Sequence, residues 1–141
     1  MDIDKLLEAL DDDANDELLN FTTKKIQEMN WRILKELHLP EEDIKKLFNK
    51  LKNYKYVDEL SDLKSGSYLR WIPIDNPENI YLSNGAFYCD IKITNEGINC
   101  VCKGNGYMAR HFNISMDKNL IFQKLSDQEL VLLSAMDHLS T

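Results

Sequence analysis

The spacing of apolar residues changes near Tyr68, and this change constrains the fold more than any other feature of the sequence. Before Tyr68, apolar residues recur about every 3.6 positions, as in an amphipathic helix. After it, short β-rich runs with a period of two are separated by Asn and Gly. Helices segregated from an antiparallel sheet define the α+β class. We therefore predict N-terminal helices, then a four- or five-stranded antiparallel sheet or small SH3-like barrel, then a C-terminal helix.

The N-terminal half predicts three helices. A short helix follows Asp2 and ends at the acidic run 11–13, and a longer helix spans about 15–37. A third helix begins after Pro40, because proline and acidic residues favour a first helical turn. A brief helical turn is expected within 57–63. The acidic run separates the first helix from the rest, so we expect that helix to be detached from the core.

The C-terminal half predicts four strands and one capped helix. Asn84-Gly85, Glu96-Gly97 and 104–106 are expected to form hairpin turns, because Gly and Asn accept positive φ angles. Ser126 and Glu129 form a capping box before a helix that should cover the sheet. The strands are expected at 68–74, 86–94, 98–103 and 107–115.

The charge distribution suggests three segments. The first 17 residues contain eight acidic residues and one lysine, a net charge of 1 − 8 = −7, which equals the net charge of the whole chain. We predict an acidic segment with a short helix at 1–14, a helical segment at 15–64, and the sheet with its C-terminal helix at 65–141. A protein that coats nucleic acid through bulk charge is disfavoured by this composition.

The three cysteines are predicted to be structural. Zinc sites usually place cysteine pairs two to four residues apart, whereas Cys100 and Cys102 are separated by one residue. With a Glu96-Gly97 turn, Ile93 should face Cys100 and Ile91 should face Cys102. The thiols, including Cys89, should then lie on an apolar face with the residues Phe87, Ile91, Ile93 and Ile98.

Catalytic and metal chemistry find little support in the sequence. With a three-residue loop at 104–106, Cys102 should pair with Met108 and Cys100 with Arg110, so His111 points to the opposite face from the thiols. Positions 11, 13 and 15 match part of a calcium loop, but its required Gly and Glu are missing. No phosphate-binding loop or hydrolase motif is present. We expect a protein without enzymatic activity, metal or cofactor.

Binding to another protein is therefore the leading functional hypothesis, as a non-catalytic interaction or assembly component. Aromatic residues around an arginine are typical interface anchors. The alternative is an accessory factor that binds nucleic acid through the lysine-rich helix at 44–55 and through sheet aromatics that stack on bases. The candidate anchors are Tyr68, Arg70, Trp71, Tyr88 and Tyr107, and the candidate nucleic-acid contacts are Lys46, Lys50 and Lys52.

The expected location is inside the cell, in the cytoplasm or nucleus. No apolar run is long enough to cross a membrane, the first residues do not form a secretory signal, and three cysteines cannot all pair within one chain.

A further expectation comes from a resemblance. The stretch YKYVDELSDLKSGSYLRWI at 54–72, with Asn84-Gly85 and IFQKLS at 121–126, resembles small uncharacterised proteins of large DNA viruses of eukaryotes. The resemblance covers about 54–139. It implies a viral protein that acts in the infected host cell or is packaged in the virion, and it assigns no functional residues.

Overall fold

The computed structural model describes residues 3–11, 18, 21–106 and 110–140. It has the predicted α+β class, with helices at the N-terminal side, a fully antiparallel sheet and a C-terminal helix. The helices are α1 (Ile3–Asp11), α2 (Thr23–Lys35), α3 (Glu41–Lys50) and α4 (Asp127–Leu139). The strands are β1 (Tyr54–Tyr56), β2 (Tyr68–Pro73), β3 (Ala86–Thr94), β4 (Gly97–Lys103), β5 (His111–Ser115) and β6 (Asn119–Lys124).

Within the described residues, the sheet has six strands rather than four or five, in the order β1-β6-β2-β3-β4-β5. The two additional strands are β1 and β6. Strand β1 has only three residues, and β6 lies between β1 and β2, with four consecutive buried residues from Leu120 to Gln123. A strand buried on both faces has no alternation of polar and apolar residues, so its sequence lacks the period of two.

Helix α2 begins later than the sequence pattern predicts. The Thr22 hydroxyl accepts a hydrogen bond from the Lys25 N–H and thereby caps the first turn, so α2 starts at Thr23. The predicted start near position 15 lies outside the described residues. Helix α3 begins directly after Pro40, as predicted. The helical turn expected within 57–63 is a short 3-10 helix, Leu60–Asp62.

The pairing of β3 with β4 differs from the prediction by two residues. Thr94 lies opposite Gly97, which places Ile91 opposite Cys100. A bulge at Cys89 then brings Tyr88 opposite Cys102, because an extra residue in one strand reverses the faces of the residues that precede it. The predicted apolar face is correct for Ile91, which packs against the cluster with Cys100 and Cys102. It is wrong for Phe87, which the bulge turns to the other face and which is 43% exposed, and for Ile93, which is 73% exposed.

The pairing of β4 with β5 differs by four residues. Cys102 lies opposite Phe112 and Cys100 opposite Ile114, so the predicted partners Met108 and Arg110 are wrong. Side chains alternate between the two faces of a sheet with a period of two, so a shift by an even number of residues leaves each side chain on its predicted face. His111 therefore lies on the opposite face from both thiols, as predicted.

Asn84-Gly85 does not form the predicted hairpin turn. An irregular connection joins β2 to β3. Gly85 has a φ of 102°, and a Cβ at this position would lie 2.5 Å from the Leu69 carbonyl oxygen. Glycine is thus required here for the close approach of the backbone to β2.

The sheet curls around an inner core. The ring centroids of Trp71 on β2 and Phe112 on β5 are 6.0 Å apart, although two strands separate β2 from β5. In a flat sheet, three strand spacings would place them about 14 Å apart. The inner core contains Leu69, Tyr88, Cys100, Cys102 and Ile121.

The opposite, outer face of β1, β6 and β2 is covered by α2 and α3. Leu34 and Ile44 from these helices pack with Ile72, Leu120 and Phe122 from the sheet. A third cluster joins α1, α2 and α4 through Ala9, Ile26 and Leu132. Two predictions are corrected by this cluster: α1 packs on α4 rather than being detached, and α4 packs on helices rather than covering the sheet.

No helix in the described part of the chain is both long and apolar enough to span a lipid bilayer.

Candidate functional site

The predicted anchors on β2 do not share one surface. Trp71 packs on the inner core, whereas Arg70 points to the outer face, where its Nε donates a hydrogen bond of 2.9 Å to the Ser83 carbonyl. The Tyr68 hydroxyl donates to the Asn84 carbonyl over 2.8 Å. Arg70 Nε and the Tyr68 hydroxyl thus bind the β2–β3 connection.

The remaining predicted residues differ in accessibility. Tyr88 is only 6% exposed and belongs to the inner core, which corrects its prediction as a surface anchor. Tyr107 lies outside the described residues. Lys46, Lys50 and Lys52 are exposed on and just after α3.

Two of the three thiols are sequestered from solvent. Cys100 and Cys102 are fully buried in the inner core, and Cys89 is half-buried at the bulge. Burial raises the pKa of Cys100 to about 11 and that of Cys102 to about 12, because a thiolate is poorly stabilised in apolar surroundings. Since the thiolate is the reactive form, neither buried thiol is suited to nucleophilic chemistry near neutral pH.

We expect Cys89 to be the only thiol modified rapidly in the folded protein. A thiol reagent at about pH 7.5 should leave Cys100 and Cys102 unmodified, because both are buried and their thiolate population is reduced by about a hundredfold or more. The number of modified thiols, measured by mass spectrometry, should rise from one to three in denaturant. The Cys89→Ser variant is the control and should show none before unfolding; rapid native modification of Cys102 would contradict the expectation.

A polar junction lies where β1, β6 and α4 meet. Lys55 Nζ is 3.5 Å from Asp62 Oδ2, and Lys64 Nζ is 3.2 Å from Glu129 Oε2. The Gln123 side chain accepts from the Lys64 N–H and donates to the Asp62 carbonyl. The adjoining cavity has a volume of only about 30 Å³, enough for about one water molecule. These contacts join α4 and β6 to the segment between β1 and β2.

The two edges of the sheet are protected to different degrees. At the β1 edge, the Asn30 side chain from α2 donates to the Tyr54 carbonyl over 2.8 Å and accepts from the Tyr56 N–H over 2.9 Å. Asn30 is 2% exposed. Its amide thus takes the place of a neighbouring strand and closes that edge to further pairing.

The β5 edge has no comparable cover in the described part of the chain. The Met116 N–H donates to the Ile98 carbonyl, which places this pair in a hydrogen-bonded position of the ladder. Hydrogen-bonded and non-hydrogen-bonded pairs alternate in an antiparallel ladder, so the backbone groups of His111, Asn113 and Ser115 point away from β4.

The outward backbone groups of β5 remain largely available. The Ser115 carbonyl accepts from Asn119 Nδ2 over 2.8 Å. For the outward N–H and C=O groups of His111 and Asn113, the residues that the structure describes provide no hydrogen-bond partner. Phe112, between them, is 38% exposed and faces the inner side of the sheet. The edge therefore combines free backbone groups with an accessible apolar side chain.

A groove adjoins the C-terminal end of this edge. It has a volume of about 250 Å³, and its lining includes Asp58 and Leu60, from the segment after β1, and Met116 and Asp117, which follow β5. Both aspartates are exposed. The remaining lining residues are Tyr56, Val57, Ile98, Asn119 and Ile121.

The sequence did not reveal this site, because β5 lacks an unusual motif. A signal was nevertheless present: His111–Ser115 contains no lysine or proline, the residues that often protect an exposed strand edge. Its position at the edge depends on the pairing of distant strands.

Within residues 3–11, 18, 21–106 and 110–140, no three His, Cys, Asp or Glu side chains are grouped so that they could hold a metal ion. Positions 13 and 15 of the partial calcium motif lie outside the described residues. Comparison of the chain with protein-family profiles, curated proteins and solved structures gives no match.

Proposed function

We propose that this protein is a non-catalytic interaction module that binds an extended segment of a partner protein as an additional strand along β5. The observation that carries the proposal is the outer edge of β5, where the backbone N–H and C=O groups of His111 and Asn113 have no hydrogen-bond partner among the described residues. Strand addition uses such unpaired N–H and C=O groups for affinity and alternate side chains for specificity. The opposite edge, at β1, is closed by Asn30, so the proposal concerns one edge.

The side-chain environment supports an apolar residue in the bound segment. Phe112 and Ile114 project to the inner side of the curled sheet, and Phe112 contacts Trp71. A strand paired with β5 would place every second side chain beside them. Burial of the exposed part of Phe112 would then contribute to binding in proportion to the apolar area removed from water.

The proposal is tested with a display library of random 12-residue peptides selected on the immobilised full-length chain. Affinities of the selected peptides are then measured by calorimetry for the wild type and for Asn113→Pro. Proline removes the outward N–H but leaves the ladder with β4, since Asn113 does not bond to β4. We expect Asn113→Pro to weaken binding by about tenfold or more, the effect of about 1.4 kcal/mol.

The matched control is Asn113→Thr, which keeps the backbone N–H and should change the affinity by less than about twofold. Hydrogen exchange should show slower exchange of the His111 and Asn113 amides when peptide is bound. The proposal is wrong if the library yields no binder, or if the selected peptides bind Asn113→Pro as tightly as the wild type.

The alternative function is nucleic-acid binding through α3. Lys46, Lys50 and Lys52 are exposed, and none of them forms an ion pair with another described residue. The first turn of the same helix contains Glu41, Glu42 and Asp43, which would repel phosphate. Steep loss of DNA or RNA retention with added salt, together with loss in a variant in which the three lysines are replaced by glutamine, would favour this alternative.

A further inference from the structure

We infer that the segment bound along β5 carries a lysine or arginine whose side chain enters the groove beside Asp58 and Asp117. This inference rests on the proposed strand addition at β5 and specifies the chemistry of the partner. It follows from three properties of the groove: its continuity with the free edge, its apolar floor and its uncompensated negative charge.

The groove continues the free edge of β5. The outward carbonyl of Ser115, the last residue of the edge, accepts from Asn119 Nδ2 over 2.8 Å, and Asn119 lines the groove. Both Met116 and Ile98 line the groove. A segment that follows the edge towards Ser115 therefore reaches the groove within one or two residues, at about 3.3 Å per residue.

The floor of the groove suits a long aliphatic stem. Val57, Ile98, Met116 and Ile121 contribute apolar surface, and the volume of about 250 Å³ exceeds what a small side chain would fill. Lysine and arginine bury their methylene groups along apolar surfaces while the charged group stays in a polar environment.

The rim supplies the negative charge that such a side chain requires. Asp58 and Asp117 both line the groove, and neither forms an ion pair with another described residue. Asp117 is held close to Gly97, where a Cβ atom would lie 2.6 Å from Asp117 Oδ2. Lys118 follows Asp117 in the sequence but does not line the groove.

The charge of the groove favours a basic partner over a second copy. The net charge of −7 lies in the first 17 residues and residues 18–141 are neutral, so the charge that attracts a cationic segment is that of Asp58 and Asp117. Strand β5 itself has no basic residue other than His111, although Arg110 precedes it. A second copy of the chain, paired through its own β5, is the competing occupant of this edge. The experiment must distinguish it from a basic partner segment.

The experiment uses one peptide selected on the wild-type chain and a version of it in which the basic residue is replaced by methionine. We expect the methionine peptide to bind the wild type about five- to tenfold more weakly, which corresponds to about 1–1.4 kcal/mol. In the Asp58→Asn, Asp117→Asn double variant, the two peptides should differ by less than about twofold. The control Asp43→Asn on α3 should retain the full difference.

The outcomes separate the inference from the proposed function. Peptides that depend on Asn113 but show no preference for Lys or Arg overturn the inference and leave strand addition intact. Peptides that do not depend on Asn113 overturn both. A concentration-dependent increase in mass that Asn113→Pro abolishes would identify a second copy as the occupant and would also overturn the inference.

Discussion

Replacing Glu129 by alanine is expected to lower the free energy of unfolding by about 3 kcal/mol, within the range of about 3–5 kcal/mol for breaking a buried ion pair. Glu129 is 5% exposed. Its Oε1 accepts from the Ser126 N–H over 2.9 Å, and its Oε2 lies 3.2 Å from Lys64 Nζ. The lower end of the range applies because the Lys64 side chain is 25% exposed and is partly hydrated. Denaturant unfolding monitored by circular dichroism measures the effect.

Two further variants divide this effect into its parts. Glu129→Gln keeps a carbonyl acceptor for Ser126 but removes the charge, so it should cost about half as much as the alanine variant. Asp127→Ala removes an exposed acidic residue from the same first turn and should cost about 0.3–1 kcal/mol. Equal losses for Asp127→Ala and Glu129→Ala would show that the buried pair contributes nothing beyond the helix terminus.

Replacing Asn30 by alanine is expected to lower the free energy of unfolding by about 2–4 kcal/mol. The substitution leaves the Tyr54 carbonyl and the Tyr56 N–H without the amide that satisfies both of them. Each unsatisfied buried backbone group costs about 1–3 kcal/mol, and water entering the vacated space reduces that cost.

The matched control for Asn30 is Asn49→Ala. Asn49 is an exposed residue of α3, so its replacement includes the same gain in helix propensity without loss of the backbone contacts. It should alter stability by no more than about 0.5 kcal/mol. If both alanine variants unfold at the same denaturant concentration, the amide of Asn30 does not contribute to closing the β1 edge.

The elements predicted best are those with short-range signals. Pro40 and the acidic residues after it place the start of α3, and the Ser126–Glu129 capping box places the start of α4. Strand β3 has the predicted bounds, because β-rich residues between Gly85 and the turn before Gly97 mark both of its ends. In each case the physical cause lies within one turn or one strand, so the sequence contains it.

The strands that were missed depend on their surroundings. Strand β6 is buried on both faces because α2 and α3 cover one side and the inner core lies on the other. Strand β1 is only three residues long and gains its stability from β6 and from Asn30. No local pattern indicates that an asparagine in the middle of a helix will close the edge of a sheet.

The candidate site was decided by the tertiary structure. The class of fold, the Ser126 cap of α4 and the face of His111 could be predicted from the sequence, because they follow from local backbone preferences and from the alternation of side chains. The pairing of Cys102 with Phe112, the curl that brings Trp71 to Phe112 and the exposed position of β5 required contacts between distant segments. A free edge exists only relative to the strands that pair elsewhere, so its physical cause is the strand order of the whole sheet.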